Sequence, residues 1–508
     1  FQKKLILNYL KTNDPNFNDE NKIYFSEHHL SHAASAFFPS PFEEAIVLTA
    51  DGVGEWATTT VAIGKKNKLE IKKEIHFPHS LGLLYSAFTY YIGFKVNGGE
   101  YKLMGLAPYG EPIYEKKILE NLIDIKDDGS FQLNQEYFNY ATGLTMTNKK
   151  FEKLFGNKVL NQKKDSLTQF HMDIAASIQK VTENIMIKLS RSLKNEFNIP
   201  NLCLAGGVAL NCVANGKILD EKIFKEIWIQ PASGDAGGSL GAALAFYYLE
   251  KKKERKIDKK DKMNGSYLGP SFNNEEIKNK LEKLGANFEY LDDEKLLDKT
   301  VLEISSGKAV GWFQGRMEFG PRALGGRSII GDPRSETMQK NLNLKVKYRE
   351  SFRPFAPSVL REDVNNWFEI SVDSPYMLLV SQIKKDKQKL MSDEEKKKFG
   401  IDKLNVKRSD IPAVTHVDYS ARIQTVHKDT NEKYYSLIKK FKERTNCPVL
   451  INTSFNIRGE PIVNTPEDAF NCFMGTELDS LFIGNFYLEK KKQNKGFNKN
   501  YINKFELD

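Results

Sequence analysis

The sequence predicts an α/β fold divided between two domains, and three observations support this prediction. The chain has 508 residues, more than one ordinary hydrophobic core accommodates. Its first half repeats a unit of buried strand, glycine-rich loop and helix, which is typical of an α/β domain. A lysine-rich stretch at 250–264 is the clearest change in composition. We place the domain boundary there, which gives domains 1–262 and 263–508.

In the first half, 26–38 is predicted as a short helix with Ser26 as its N-cap and a stop at Pro39-Ser-Pro41. A hairpin follows, with its turn at Asp51-Gly-Val-Gly54. The other elements have a helical period or are short apolar runs bounded by glycine. They are the strands 44–50, 58–63, 201–204 and 226–230, and the helices 171–193, 208–218 and 239–249.

The second half is predicted to be α+β. Helical periodicity marks 275–284 and 292–306, and short apolar runs predict strands at 309–313 and 447–452. The stretch 315–333 between them is rich in glycine and arginine and has no regular period.

The composition argues against several classes of function. The net charge is +9, but lysine runs such as 251–262 lack the interleaved arginines and aromatic residues of a nucleic-acid surface. No apolar run approaches the roughly 18 residues of a membrane span, and no leader pattern is present. The four cysteines form no CxxC pair. We therefore expect a reduced, cytoplasmic protein with no nucleic-acid or membrane partner.

A histidine cluster is the most informative local pattern, because three of the 8 histidines lie within 28–32. His28 and His32 are four residues apart, which on a helix places both imidazoles on one face, as two ligands of one metal ion. Asp235, expected to head the glycine loop 234–238, would complete a His-His-Asp set with open coordination positions. Such a set suits iron(II) or a similar divalent ion. The alternative is a solvated helix with clustered polar residues.

Two loops of the first half have residues suited to phosphate or nucleotide. Asp51 lies in a glycine turn, where the backbone can approach phosphate and the carboxylate can hold a cation. The alternative is an ordinary hairpin turn. Gly206, Gly207 and Asn211 lie where a strand ends and a helix starts, where free amides bind a sugar or a phosphate. The alternative there is tight packing of helix on strand.

In the second half, we single out six of the basic residues between positions 316 and 353, a stretch that Gly-Pro and Arg-Pro turns interrupt. They are Arg316, Arg322, Arg327, Lys347, Arg349 and Arg353. Fixed turns preorganise guanidinium groups for bidentate binding of phosphate. A charged surface is the alternative. Asn452-Thr-Ser-Phe-Asn456, after a predicted strand, adds hydroxyl and amide groups for a second phosphate or a carbonyl.

Together these motifs resemble the O-carbamoyltransferase family that includes the nodulation, cephamycin and tobramycin carbamoyltransferases. The matching stretches run in one order from residue 27 to residue 463. They are EHHLSHAASAFFPSPFEEAIVLTADGVGEW, GGEYKLMGLAPYG, LAGGVALNCVANG, PASGDAGGSLGAA, FGPRALGGRSIIGDPR, KYRESFRPFAP and INTSFNIRGEPIV.

The resemblance implies an actin/sugar-kinase-like first domain, of the type used by the tRNA threonylcarbamoyl transferase. It implies a second domain like the threonylcarbamoyl-adenylate synthase. There carbamoyl phosphate and ATP, with Mg²⁺, would give carbamoyl-adenylate and pyrophosphate. The adenylate would move internally to the first domain, where an iron-assisted site passes the carbamoyl group to a hydroxyl. The expected acceptor is a small molecule or sugar of specialised metabolism or surface-glycan synthesis, and a homodimer is left open.

The resemblance also implies roles for individual residues. Metal ligation is implied for His28, His32, Asp235 and Asp51, and a part in catalysis for His28, His32 and Asp51. Nucleotide contact is implied for Gly206, Gly207, Asn211 and, in the GEYKLMG stretch, Lys102. Binding of carbamoyl phosphate and ATP is implied for Arg322, Lys347, Arg353, Arg422 and Ser454.

The chain departs from the family at its start. The family opens with a strand bearing a His-Asp motif, which nothing before His28 supplies, so we expect further residues upstream of Phe1. The general base is then either Asp51 or that upstream histidine. Two alternative functions stay open. One is a tRNA threonylcarbamoyl-transferase-type enzyme, which the GPRALG and RESFRPFAP stretches disfavour, and the other is a catalytically defunct binding homologue.

Overall fold

A computed structural model of the protein describes residues 2–161, 164–493 and 500–505. It has two large mixed β-sheets, one from each half of the chain, with helices packed against them. The α/β class expected from the sequence is confirmed. No helix in the described ranges is long and apolar enough to cross a membrane.

The first half contains seven strands and nine α-helices among the described residues. The strands are β1 (Glu44–Ala50), β2 (Ala57–Lys65), β3 (Lys68–His76), β4 (Ile123–Ile125), β5 (Phe131–Leu133), β6 (Asn201–Ala205) and β7 (Glu226–Ile229). The helices are α1 (Gln2–Asn13), α2 (His28–Phe37), α3 (Leu81–Tyr91), α4 (Glu100–Leu106), α5 (Glu115–Asn121), α6 (Lys149–Phe155), α7 (Gln169–Phe197), α8 (Cys212–Asp220) and α9 (Asp235–Ala245).

The main sheet of this half has the strand order β3-β2-β1-β6-β7. β1 is antiparallel to β2 and parallel to β6, and β6 is parallel to β7. An antiparallel hairpin joined to parallel strands in this order is the core of the actin/sugar-kinase-type domain that the resemblance implied. β1 is buried at every position after the first, because helices cover this central strand.

The second half contributes the remaining elements of the described chain. The strands are β8 (Glu289–Tyr290), β9 (Val310–Phe313), β10 (Arg327–Gly331), β11 (Ala356–Leu360), β12 (Leu379–Gln382), β13 (Ser420–Val426), β14 (Val449–Ser454), β15 (Ser480–Ile483) and β16 (Phe486–Glu489). They form one nine-stranded sheet in the order β12-β13-β11-β14-β10-β9-β15-β16-β8. The helices are α10 (Asn274–Lys283), α11 (Asp293–Ser305), α12 (Met338–Asn341), α13 (Val364–Trp367), α14 (Asp393–Lys396), α15 (Glu432–Thr445) and α16 (Pro466–Met474).

Three helix starts in the first half differ from the prediction, and one of them is that of α8, which begins at Cys212 and not at 208. α2 begins at His28 with Glu27 at its N-cap, so Ser26 does not cap it and instead accepts a hydrogen bond from the Ser31 hydroxyl (2.9 Å). α9 begins at Asp235, four residues before the predicted start at 239. Asp235 is therefore the first residue of a helix and does not head a loop.

The lysine-rich segment after α9 contains a buried arginine that ties it to α2. Arg255 is 5% exposed. Its guanidinium donates to the backbone oxygens of Phe37 (2.8 Å), Phe38 (3.1 Å), Ser40 (2.8 Å) and Phe42 (2.8 Å). These carbonyls include the last ones of α2, which have no partner within the helix. The segment is thus anchored at the C-terminal end of α2, although its composition is that of a solvated linker.

Candidate metal centre and arginine-lined cavity

Four side chains from three elements meet at one point of the first half. α2 contributes His28 and His32, the residue after β1 contributes Asp51, and the N-terminus of α9 contributes Asp235. The Oδ2 atom of Asp51 lies 2.8 Å from Nε2 of His28 and 3.0 Å from Nε2 of His32. Oδ1 of Asp235 lies 3.7 Å from the same two nitrogens. The structure therefore brings together all four residues that the resemblance implied as ligands.

The electrostatics of this cluster favour an ionised carboxylate. Burial alone would raise the pKa of Asp51, but hydrogen bonds from His28 and His32 outweigh it and hold that pKa well below its usual range. The hydrogen bond to Asp51 raises the pKa of His28 against an opposing effect of burial. Asp51 also accepts the backbone N–H of Gly207 at Oδ1 (2.9 Å), which fixes the carboxylate and leaves Oδ2 for the histidines.

The donor set fits a divalent cation. When two ligand atoms each lie about 2.1 Å from a cation and their bonds to it form a right angle, the two atoms are about 3.0 Å apart. The two Nε2 atoms are 3.0 Å apart, and Oδ2 of Asp51 is 2.8–3.0 Å from each, so these three atoms have the spacing of one face of a coordination sphere. The Asp235 side chain is 82% exposed, so solvent reaches the fourth ligand.

Surrounding groups fix the helix that presents the histidines. Nδ1 of His29 lies 2.7 Å from the Thr49 hydroxyl, and burial lowers the pKa of His29 to about 4, so its ring is neutral. The Glu55 carboxylate accepts the backbone N–H of His28 (3.1 Å), at the N-terminus of α2 where an anion is favoured. Glu55 was not predicted, although it lies beside the Asp51 turn in the matching stretch.

A cavity of about 740 Å³ opens beside this cluster. Asp51, Asp235, Gly207 and Asn211 line it. Gly206 precedes Gly207 and has a φ of 86°. A Cβ at Gly206 would be 2.2 Å from the Ala50 oxygen, so only glycine fits there. The sequence led us to expect a free amide at Gly207. In the structure this amide donates to Asp51. The role of this loop in nucleotide binding stays a prediction.

A second cavity, of about 240 Å³, is lined by Arg322, Arg353, Arg422 and Ser454, four of the five residues implied for carbamoyl phosphate and ATP. Nε and Nη2 of Arg322 and Nε of Arg422 are buried without a hydrogen-bond partner among the described residues. Burial and then the charge of Arg322 lower the pKa of Arg422 to about 10. Neighbouring guanidiniums with unsatisfied N–H groups are suited to bind an anion.

The two predicted lysines do not line either cavity. Lys347 is buried, and its ammonium donates to the backbone oxygens of Ser454 (2.5 Å) and Asn456 (2.9 Å), so it positions the loop that carries Ser454. Lys102 is also buried, with its ammonium 3.7 Å from the Glu350 carboxylate. Arg327 donates to the carbonyls of Gln314 and Pro270 and is structural. Ligand roles for Lys102 and Lys347 stay predictions.

The two cavities have a common wall. Tyr101 and Met104 of α4 line both the arginine-lined cavity and the cavity beside the metal ligands. The Arg322 guanidinium lies 4.6 Å from the centre of the Tyr101 ring, a cation–π contact that joins the two halves. Tyr101 and Met104 lie in the matching stretch GGEYKLMGLAPYG, but they were not predicted to be site residues, because neither belongs to a local chemical pattern.

The described residues thus form two mixed sheets, a cluster of four possible metal ligands and an arginine-lined cavity. The family models for the carbamoyltransferase N-terminus and the carbamoyltransferase C-terminus match residues 2–244 and 301–490. The chain belongs to the carbamoyltransferase family and is a carbamoyltransferase, which confirms the resemblance seen in the sequence.

Three relatives show how far the similarity extends. The chain is 60% identical to the uncharacterized protein sll1178 of Synechocystis sp., over 96% of this chain and 79% of that protein. It is 37% identical to the nodulation protein NolNO of Sinorhizobium fredii, over 93% of this chain and 65% of that protein. It is 35% identical to the nodulation protein NolO of Bradyrhizobium diazoefficiens, over 91% of this chain and 79% of that protein.

Proposed function

We propose that this protein is an ATP-dependent O-carbamoyltransferase that forms carbamoyl-adenylate in the arginine-lined cavity. Its carbamoyl group then passes to a hydroxyl of a small molecule or sugar beside the metal ligands. The observation that carries this proposal is the common wall of the two cavities. Because Tyr101 and Met104 line both, side chains of α4 separate the two cavities at this wall. An intermediate that moved through this wall would not meet bulk water, which would hydrolyse a mixed anhydride.

The arginine-lined cavity suits the first reaction. Carbamoyl phosphate is a dianion and ATP carries about four negative charges, so one site must offset strong repulsion between the two. The unpaired N–H groups of Arg322 and Arg422 are placed to bind phosphate oxygens, and Mg²⁺ accompanies the ATP. Ser454, held by Lys347, adds a hydroxyl. Carbamoyl phosphate, ATP and water give carbamoyl-adenylate, pyrophosphate and phosphate.

The second reaction belongs to the larger cavity. His28, His32, Asp51 and Asp235 would hold iron(II) or a similar divalent ion, which when bound supplies a Lewis acid for the carbamoyl carbonyl. The acceptor hydroxyl attacks the carbamoyl carbon, AMP leaves, and the hydroxyl proton must be taken up. Asp51 is the candidate base on this side, but the hydrogen bonds that keep it ionised also lower its pKa and make it a weak base. Tyrosines, amides and hydroxyls in the wall suit a hydroxylated acceptor.

The test is product analysis with the purified protein. In a buffer without ammonium bicarbonate, we expect pyrophosphate to be released only when carbamoyl phosphate and ATP are both present. We expect one AMP to be formed for each acceptor molecule that gains a carbamoyl group by mass spectrometry. A panel of sugars and polyhydroxylated small molecules serves as acceptors. Formation of ADP in place of AMP and pyrophosphate would refute the adenylate route.

A further inference from the structure

His416 is a buried histidine of the second half that the proposed chemistry does not yet use. It is 7% exposed and lines the arginine-lined cavity together with Arg322 and Arg422. Its backbone N–H donates to the oxygen of Ser420 (2.9 Å), and its own oxygen accepts from Tyr419 (3.1 Å). A tight turn before β13 therefore fixes the position of this imidazole.

Both ring nitrogens of His416 lack a hydrogen-bond partner among the described residues, although both are buried. A buried imidazole without partners is costly unless a ligand or water completes it. Oδ1 of Asp418 lies 3.6 Å from Nδ1, and this carboxylate oxygen is itself held by the hydroxyl of Ser420 (2.6 Å). A carboxylate beside Nδ1 orients an imidazole so that Nε2 can accept a proton.

A further cavity lies on the other side of the same ring. His416 and Pro354 line both the arginine-lined cavity and a cavity of about 300 Å³ that includes Lys340, Lys407 and Arg408. A polar cavity of this size holds several water molecules. The imidazole therefore stands between a source of water and the site proposed for carbamoyl phosphate.

Resting on the proposed function, we infer that His416 is the general base that activates water to cleave carbamoyl phosphate to carbamate before adenylation. The water oxygen attacks phosphorus, the bond between phosphorus and the carbamoyl oxygen breaks, and carbamate leaves with the electron pair. Nε2 of His416 takes the proton of the water, and inorganic phosphate is the second product. A carbamate oxygen then attacks the α-phosphorus of ATP, and pyrophosphate leaves. Asp418 is a positioning residue for the imidazole.

The inference is tested by supplying the product of the cleavage step directly. Carbamate forms spontaneously in ammonium bicarbonate, so the enzyme can be given ATP with either carbamoyl phosphate or ammonium bicarbonate. We expect His416→Gln to lower pyrophosphate release from carbamoyl phosphate by about 10²–10⁴-fold, the usual contribution of a general base. Release from ammonium bicarbonate should stay within about twofold of the parent rate, because that reaction needs no activated water.

His427→Gln is the matched control. His427 directly follows β13, at the other end of this strand from His416, and lies 4.0 Å from the carboxylate of Asp373. It lines none of the three cavities. It should keep both activities. Equal loss of both activities in His416→Gln would show a structural role and overturn the inference, as would an unchanged rate with carbamoyl phosphate. If the parent protein releases no pyrophosphate from either source, the proposed function itself fails, which is a distinct outcome.

Discussion

At the scale of single residues, the arginine-lined cavity holds more positive charge than its own side chains neutralise. Arg322 and Arg422 have buried N–H groups without partners, and the charge of Arg322 contributes to the lowered pKa of Arg422. Charged groups held this way destabilise the protein when the cavity has no anion bound, and they bind an anion strongly. We therefore expect a phosphate-bearing substrate to stabilise the protein when it binds.

Replacing one of these arginines should raise the stability of the protein and lower its activity. We expect Arg422→Met to raise the free energy of unfolding of the substrate-free protein by about 1 kcal/mol, because a buried like-charge repulsion is removed. It should lower carbamoyl phosphate-dependent pyrophosphate release at least about 10-fold, because charge-assisted hydrogen bonds to phosphate are lost. Urea unfolding and a pyrophosphate assay measure the two effects.

Arg191→Met is the control for this prediction, since Arg191 is an exposed arginine paired with Glu221. It should change neither quantity by more than experimental error. An Arg422→Met protein that loses stability together with activity would show that the guanidinium has a structural role.

Local sequence indicated the placement of some of these residues but not of others, for a physical reason. The pairing of His28 with His32 follows from the geometry of any helix, so a spacing of four sufficed. The ammonium of Lys347 donates to carbonyls of Ser454 and Asn456, 107 and 109 positions later in the chain, and its ligand role stays a prediction. Which partner a long side chain selects depends on tertiary contacts that local sequence does not encode.

At the scale of secondary-structure elements, the close contact of α2 with α9 positions the metal ligands. Gly241 of α9 faces the backbone of α2, and a Cβ at this position would be 1.7 Å from the Ser31 oxygen. Gly238, one turn earlier on the same helix, has no atom within 4 Å of its equivalent position. The two glycines provide a matched test of how much the ligand geometry depends on helix spacing.

We expect Gly241→Ala to push α9 away from α2 and to lower the bound divalent metal at least about 10-fold, since it displaces Asp235 from His28 and His32. His32→Ala is the reference for a lost ligand. Gly238→Ala should keep its metal and gain about 0.5–1 kcal/mol of stability, because alanine favours the helix. Elemental analysis after reconstitution with iron(II) gives the metal content of each variant. Full metal in Gly241→Ala would contradict this account.

At the scale of the whole molecule, α4 stands between two sites that belong to different halves of the chain. Met104 is 9% exposed, and both cavities reach it. The sequence predicted two sheet-containing halves, because strand and helix periods are local. The position of α4 between the cavities depends on long-range contacts such as the hydrogen bond from the Tyr109 hydroxyl to the Phe352 oxygen (2.9 Å). No local pattern predicts such a contact.

A bulky side chain in the common wall should uncouple the two reactions. We expect Met104→Trp to keep pyrophosphate release within about twofold and to lower carbamoylation of the acceptor at least about 10-fold, because the intermediate can no longer pass between the cavities. Leu144→Trp, at a fully exposed position, controls for the added indole. Mass spectrometry of the acceptor and a pyrophosphate assay on the same sample give both rates. Equal loss of both products would argue against passage through this wall.

The hydrogen bonds of Arg255 bear on which residues the first domain needs for its structure. The matched N-terminal family region ends at residue 244, eleven positions before this arginine. A shortened polypeptide that stops there lacks the donor for four backbone oxygens at the end of the histidine-bearing helix. We therefore expect a first domain cut at residue 244 to lose the contacts that fix this end of α2, and one cut after residue 262 to keep them.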